Sequence, residues 1–187
     1  MPLDGLGPAE CAIALKWYDS PTGKLMTGLE DATSANFDDT NKVMADGNQV
    51  LANASAKRQM LLNQITKAMR AVEALVTMQI NTTVAVLRGV NHAMPSQPNP
   101  SAAEMRKVFE TQRPQMEASS MGFVLSMFAL TYKSASDNAL EQYVKFLSSK
   151  SGAALTITMN EALDFSLSEA AQKIGRGAPK ISGTTSL

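Results

Sequence analysis

Apolar positions along this chain recur mainly at spacings of three and four, the period of an amphipathic helix, and strand-like alternation is nearly absent. Between Lys57 and Asn91 the residues Leu62, Ile65, Met69, Val72, Val76, Ile80, Val84, Leu87 and Val90 form one continuous stripe. The pattern predicts a single helix, about 50 Å long at 1.5 Å per residue, on which the other elements pack. The β-branched residues around "NTT" at 81–83 weaken helix propensity by roughly a few tenths of a kcal/mol each and place any bend there. "HAMPSQPNP" at 92–100 ends the helix, because its prolines lack N–H donors and push the preceding residues out of the helical region. Residues 93–100 are therefore the predicted linker. Ser101 and Glu104 then form a capping box. The face Met105, Phe109, Met116, Phe123, Met127 and Leu130 continues the period, with Pro114 expected to kink the helix or begin a new one. Ser136 opens a helix ending near Leu147, and Leu155, Met159, Leu163, Leu167, Ala170 and Ile174 supply the core stripe of the last. Beyond Ile174 the period disappears, which predicts a flexible tail over 175–187. The polar segment 29–56 offers caps in "SANFDD" and a glycine stop in "ADGNQ", so two short helices or one interrupted helix are expected there. The fold predicted is all-α: one domain over 1–174, with six to eight helices around a long central one.

One pattern occurs twice. "LKWYDSPTGKLMTG" at 15–28 and "VKFLSSKSGAALTI" at 144–157 align at a constant offset that pairs Lys16 with Lys145, Trp17 with Phe146, Ser20 with Ser149, Gly23 with Gly152 and Thr27 with Thr156. In the first copy Ser20 is suited to cap a new helix and Pro21 to its first position, where the missing N–H has no partner to lose. Gly23 then falls in the first helical turn, where it is disfavoured by about 1 kcal/mol relative to Ala. Close approach of the new helix to the preceding one, and to Trp17, would offset that. The pattern predicts two structural corners rather than two catalytic sites, with the chain ends packed as a pseudo-symmetric pair.

The sequence Trp17, Tyr18, Ser20, Pro21, Gly23 resembles the aromatic-Tyr-x-Ser-Pro-x-Gly motif of the bacterial family called domain of unknown function 2059. Phe146, Leu147, Ser149 and Gly152 match it more loosely, without the proline. The resemblance covers about 25 residues at each end and implies a small helical protein, periplasmic or otherwise exported; it supplies no activity. The opening "MPLDGLGPAE" has neither the basic nor the apolar region of a signal peptide, so either a mature exported region or a cytoplasmic protein is expected.

Composition adds mostly exclusions. Basic and acidic residues balance at 17 each, which lacks the electrostatic footprint of a nucleic-acid binder. The charge is unevenly placed: 1–50 carry eight acids and three bases, whereas 51–100 carry five bases and one acid, a distribution suited to neighbouring segments that offset each other. No apolar run reaches the length of a membrane span. Cys11 and His92 are the only residues of their types, so neither a disulfide nor a soft-ligand metal site is expected, and Cys11 is read as a small hydrophobe. "TGK" at 22–24 fails as a phosphate loop, with Tyr18 and Leu25 where glycine and a hydroxyl residue are needed. The methionines, Met60, Met69, Met78, Met105, Met116, Met121 and Met127 among them, are dispersed as core residues would be; a subset could line an adaptable groove. The pairs Glu30 with Asp31 and Asp38 with Asp39 read as solvated helix ends. No catalytic residue, cofactor or metal is predicted. The expected function is a non-enzymatic interaction or structural module with an unknown protein partner or self-association. The alternative is a carrier or sensor of a small apolar ligand held between helices.

Overall fold

The computed structural model describes residues 6–34 and 39–182, with side chains as far as Gly177. It is all-helical: α1 (Pro8–Tyr18), α2 (Pro21–Ser34), α3 (Thr40–Ala52), α4 (Ala56–Ala68), α5 (Ala71–Ala93), α6 (Ala102–Thr131), α7 (Asp137–Leu147) and α8 (Lys150–Ser182). The chain divides into two compact units, one of Met1–Val72 with Ser119–Met159, the other of Glu73–Ala118 with Asn160–Leu187.

In the first unit α4 lies along α7 and α2 packs on both α1 and α7. Met26, Leu62, Ile65, Val124, Tyr132 and Leu140 are almost completely buried between them. Serine and aspartate side chains start the helices: Asp39 accepts from Lys42 N, Ser55 from Arg58 N and Ser136 from Ala139 N, each satisfying an N–H that has no intrahelical partner. Arg58 fastens the turn between α6 and α7. Its guanidinium reaches the Asp137 carboxylate at 2.8 Å and donates to the carbonyls of Tyr132 and Ala135. Gly47, expected to stop a helix, instead lies inside α3, where a Cβ would stand 2.2 Å from the Ser126 carbonyl oxygen. Its function is close approach.

The long helix expected over 57–91 is two helices. Arg70 takes the left-handed conformation (φ 50°) and its N–H bonds back to the Lys67 carbonyl at 3.0 Å, ending α4 before α5 begins. A non-glycine residue there costs roughly 1–2 kcal/mol, so neighbouring packing must supply it. The stripe gives no warning, because α4 and α5 each need a core face and both keep the same period. At 81–83, where a bend was expected, α5 continues; the Thr82 and Thr83 hydroxyls bond back to the carbonyls of Met78 and Gln79 at 2.6 and 2.8 Å.

In the second unit Val76, Ile80 and Val84 of α5 are at most 1% exposed and meet Ala102, Phe109 and Met116 of α6. The capping box at Ser101 and Glu104 is formed, at 3.1 and 2.8 Å. The helix then continues through Pro114 without restarting. Asn81 bridges two neighbours, accepting from Arg106 and donating to Asp164, both at 2.7 Å.

The α5 and α8 contact in this unit rests on small residues. Gly89 lies against Gly175, and Ala85 and Ala171 on the same two helices are buried as well. A Cβ on Gly175 would lie 2.1 Å from the Val86 carbonyl oxygen, and one on Gly89 2.3 Å from that of Gln172. Backbones this close leave no room for the stripe expected to be core. Met159, Leu163, Leu167 and Ile174 are instead 56%, 51%, 40% and 69% exposed. The same contact carries α8 past Gly175, where a flexible tail was expected, to Ser182; 183–187 lie outside the described residues.

Candidate functional site

Both corner sequences adopt the same local geometry. In the first, the Ser20 hydroxyl donates to the Trp17 carbonyl at 2.5 Å and accepts from Gly23 N at 3.1 Å. In the second, Ser149 donates to the Phe146 carbonyl at 2.6 Å and accepts from Gly152 N at 3.1 Å. A single serine therefore closes the outgoing helix and caps the incoming one. Pro21 occupies the first position of α2; Lys150 takes that place in α8, so the serine and glycine suffice without proline. A Cβ would lie 2.2 Å from the Trp17 carbonyl oxygen at Gly23 and 2.0 Å from the Phe146 carbonyl oxygen at Gly152, so both glycines are there for close approach.

The corners are also packed on one another. The Trp17 ring stacks on Phe146 with centroids 4.1 Å apart and planes 7° from parallel, and lies 5.3 Å from the ring of Tyr143. Tyr18 meets Phe146 edge-on at 5.9 Å. Thr22 bonds Gln142 at 2.6 Å, and Lys150 pairs with Glu10 at 2.7 Å across the exposed rim.

Beneath this stack lies a polar tie that the sequence reading did not anticipate. One oxygen of Glu30 accepts from both the Tyr132 hydroxyl, at 2.7 Å, and the Tyr143 hydroxyl, at 2.8 Å. The carboxylate thus ties α2 to the turn that follows α6 and to α7. Of the pair expected to be a solvated helix end, Asp31 is exposed, whereas Glu30 is half-buried. The signal for Glu30 was its spacing: Gly23, Met26 and Glu30 are three and four residues apart, which puts the acid on the buried face. Of the other acidic pair, Asp39 caps α3 and Asp38 lies outside the described residues.

Burial, reinforced by the nearby Glu30 charge, raises the pKa of Tyr132 well above that of a free phenol, and raises Tyr143 and Tyr18 for the same reasons. At neutral pH these hydroxyls therefore stay protonated. The arrangement holds helices together and offers no phenolate base.

Cavities open in this unit among the described residues. One, about 370 Å³, is lined by Leu29, Ala32, Val43 and Leu130 together with Asp39, Lys42, Asp46 and Lys133. Another, about 140 Å³, is lined by Glu30, Phe128 and Tyr132 with Met69 and Met127, so two of the methionines do border a cavity. Cys11 is a half-buried free thiol, its sulfur 3.9 Å from the Leu6 carbonyl oxygen, and His92 is exposed in the last turn of α5. Among the described residues no group of three or more His, Cys, Asp or Glu could hold a metal, and no helix is long and apolar enough to cross a membrane.

No family model, curated protein or solved structure matches the chain.

Proposed function

We propose that this chain is a non-enzymatic interaction module and, on the resemblance of its corners, a bacterial protein of the exported kind. One observation carries the reading: on α8 the small residues Ala171 and Gly175 are buried while Leu163, Leu167 and Ile174 face solvent. An ordered row of large apolar side chains on one helix face is what an interaction surface displays. The first unit shows the same tendency on α1, where Ile13 and Leu15 are 55% and 66% exposed and Ala14 alone is buried.

A carrier is the second reading. The cavity of about 370 Å³ has the volume usual for small-molecule sites and a largely aliphatic wall in Leu29, Val43 and Leu130.

Site-specific photo-crosslinking in the native host separates the two. A photoreactive residue at Leu163 should give a covalent protein adduct, and one at the exposed Glu161 should not. Native mass spectrometry of the gently purified protein should show no retained small molecule. A reproducible adduct of small-molecule mass without any crosslink supports the carrier; absence of both overturns the module. Recovery in the cytosolic rather than the periplasmic fraction overturns the exported assignment.

A further inference from the structure

Resting on the interaction reading, we infer that the occupant of the exposed α8 face is a second copy of this chain, docked antiparallel through α8. Leu163, Leu167, Ala170 and Ile174 are spaced four, three and four. This averages close to 3.6 per turn, so the row runs nearly straight along the helix instead of winding around it.

The order of sizes along the row selects the orientation. In a parallel pair each residue meets itself, so Ala170 faces Ala170 and leaves a gap between layers of larger side chains. An antiparallel pair centred between Leu167 and Ala170 puts Leu163 against Ile174 of the second copy and Leu167 over Ala170. Large then meets small at every central layer, as close packing requires. The row is complementary to itself in one direction only.

Area sets the strength. Covering these partly exposed side chains removes roughly 300 Å² of apolar surface per copy from water. With an ordinary polar rim, where apolar atoms make up a little over half of the area, the pair covers roughly 1,000 Å² in all. That is below the ~1,200–2,000 Å² of stable complexes and in the range of weak, reversible ones. The dimer therefore forms and dissociates with concentration.

Sedimentation velocity from about 10 to 500 µM, a range chosen for an affinity weaker than micromolar, should show the mass rising from 20.0 kDa toward twice that value. Leu167→Lys, at a position already 40% exposed, should keep the native circular dichroism and weaken the dimer at least tenfold. Orientation is read by disulfide trapping in a Cys11→Ser background: mixing Leu167→Cys with Ala170→Cys should give the mixed crosslink in preference to either self-crosslink. A monomer throughout, a dimer unchanged by Leu167→Lys, or dominant 167–167 and 170–170 products each overturn the inference. Photo-crosslinking at Leu163 separates this from the broader reading: a product of twice the chain mass supports the second copy. A product with a different protein overturns the second copy and leaves the interaction module standing.

Discussion

Replacing Gly152 by alanine tests the corner geometry, because two effects of known size act in opposite directions. Gly152 lies in the first turn of α8 and no glycine has positive φ among the described residues, so alanine can adopt its backbone without strain. Propensity alone then makes Gly152→Ala stabilising by about 1 kcal/mol. Against this, the new Cβ would stand 2.0 Å from the Phe146 carbonyl oxygen and 2.9 Å from Leu147 Cα. Both are backbone atoms, so no side chain can rotate away, and relief to ordinary contact requires a shift of roughly 1 Å between helices whose interiors are close-packed. Such overpacking costs about 1–3 kcal/mol and occasionally more. Taking the upper part of that range, the net expectation is a loss of about 2 kcal/mol. For a chain of this size the midpoint should fall by roughly 4–8 °C. Gly28→Ala is the control: it lies within α2 with nothing within 4 Å of the added methyl, so only the propensity gain remains. Calorimetry and urea unfolding of the two variants should give shifts of opposite sign. If Gly152→Ala is stabilised as much as Gly28→Ala, the close approach does not exist in solution and the corner account is wrong. Gly23→Ala should behave like Gly152→Ala. The double variant should lose less than the two singles together, since the corners meet through Trp17 and Phe146 and one displacement relieves both.

Glu30→Leu strands two buried phenol hydroxyls and should cost about 2–5 kcal/mol, whereas Glu30→Gln keeps an acceptor oxygen and should cost about 1 kcal/mol or less; equal urea midpoints for the two variants would argue against the tie. The phenols Tyr18, Tyr132 and Tyr143 are all raised by burial, so native protein should show little tyrosinate absorbance at pH 10, while urea-unfolded protein titrates normally. Because the folded values lie above the unfolded one, their contribution to stability is complete below pH ~10 and declines as pH rises beyond it; ordinary titration of folded protein would contradict this. Arg58→Met leaves Asp137 and two carbonyls without their shared donor and should lower stability by about 2–4 kcal/mol, with Arg58→Lys recovering only part of it, since an ammonium cannot span the same three acceptors. Equal stability of the Lys variant and the native protein would show that charge rather than geometry matters there.

Much of the architecture was legible, and for identifiable reasons. Helices announced themselves through period and caps: Ser136 and Ser101 with Glu104 start α7 and α6 as their side-chain chemistry dictates. The corner was legible because serine, glycine and an aromatic at fixed spacing perform a local task that needs no distant partner. Features that depend on distant partners were not. The left-handed Arg70 breaks a stripe that continues unchanged on both sides. Glu30 is an acid whose two donors lie more than 100 residues away, so only its spacing from Gly23 and Met26 hinted at burial. The α8 face was misassigned because hydrophobicity ranks Leu167 and Ile174 above Ala171 and Gly175 as core residues, although the latter pair is buried.

That reversal has one physical origin, repeated in each unit. Gly47 in the first, and Gly89 and Gly175 in the second, each lie where an added Cβ would stand only 2.1–2.3 Å from a carbonyl oxygen of another helix. Helices in such contact meet through backbone and Cα surface, so fewer large side chains can fit between them than at the ~8–10 Å separations of ordinary helix pairs. In a chain with 44% apolar residues the displaced side chains must go elsewhere. On α8 Phe165 is exposed on another face, while Leu163, Leu167 and Ile174 form an ordered row with Ala170, and its order is informative: a row left over by chance has no reason to keep one face over three turns, or to place its one small member where it receives Leu167 of an antiparallel copy. Close internal approach and an outward apolar row are then two consequences of the same glycines. Enlarging Gly175 should therefore disturb both, loosening α8 from α5 and weakening self-association together, whereas Leu167→Lys should weaken association and leave the internal contact intact.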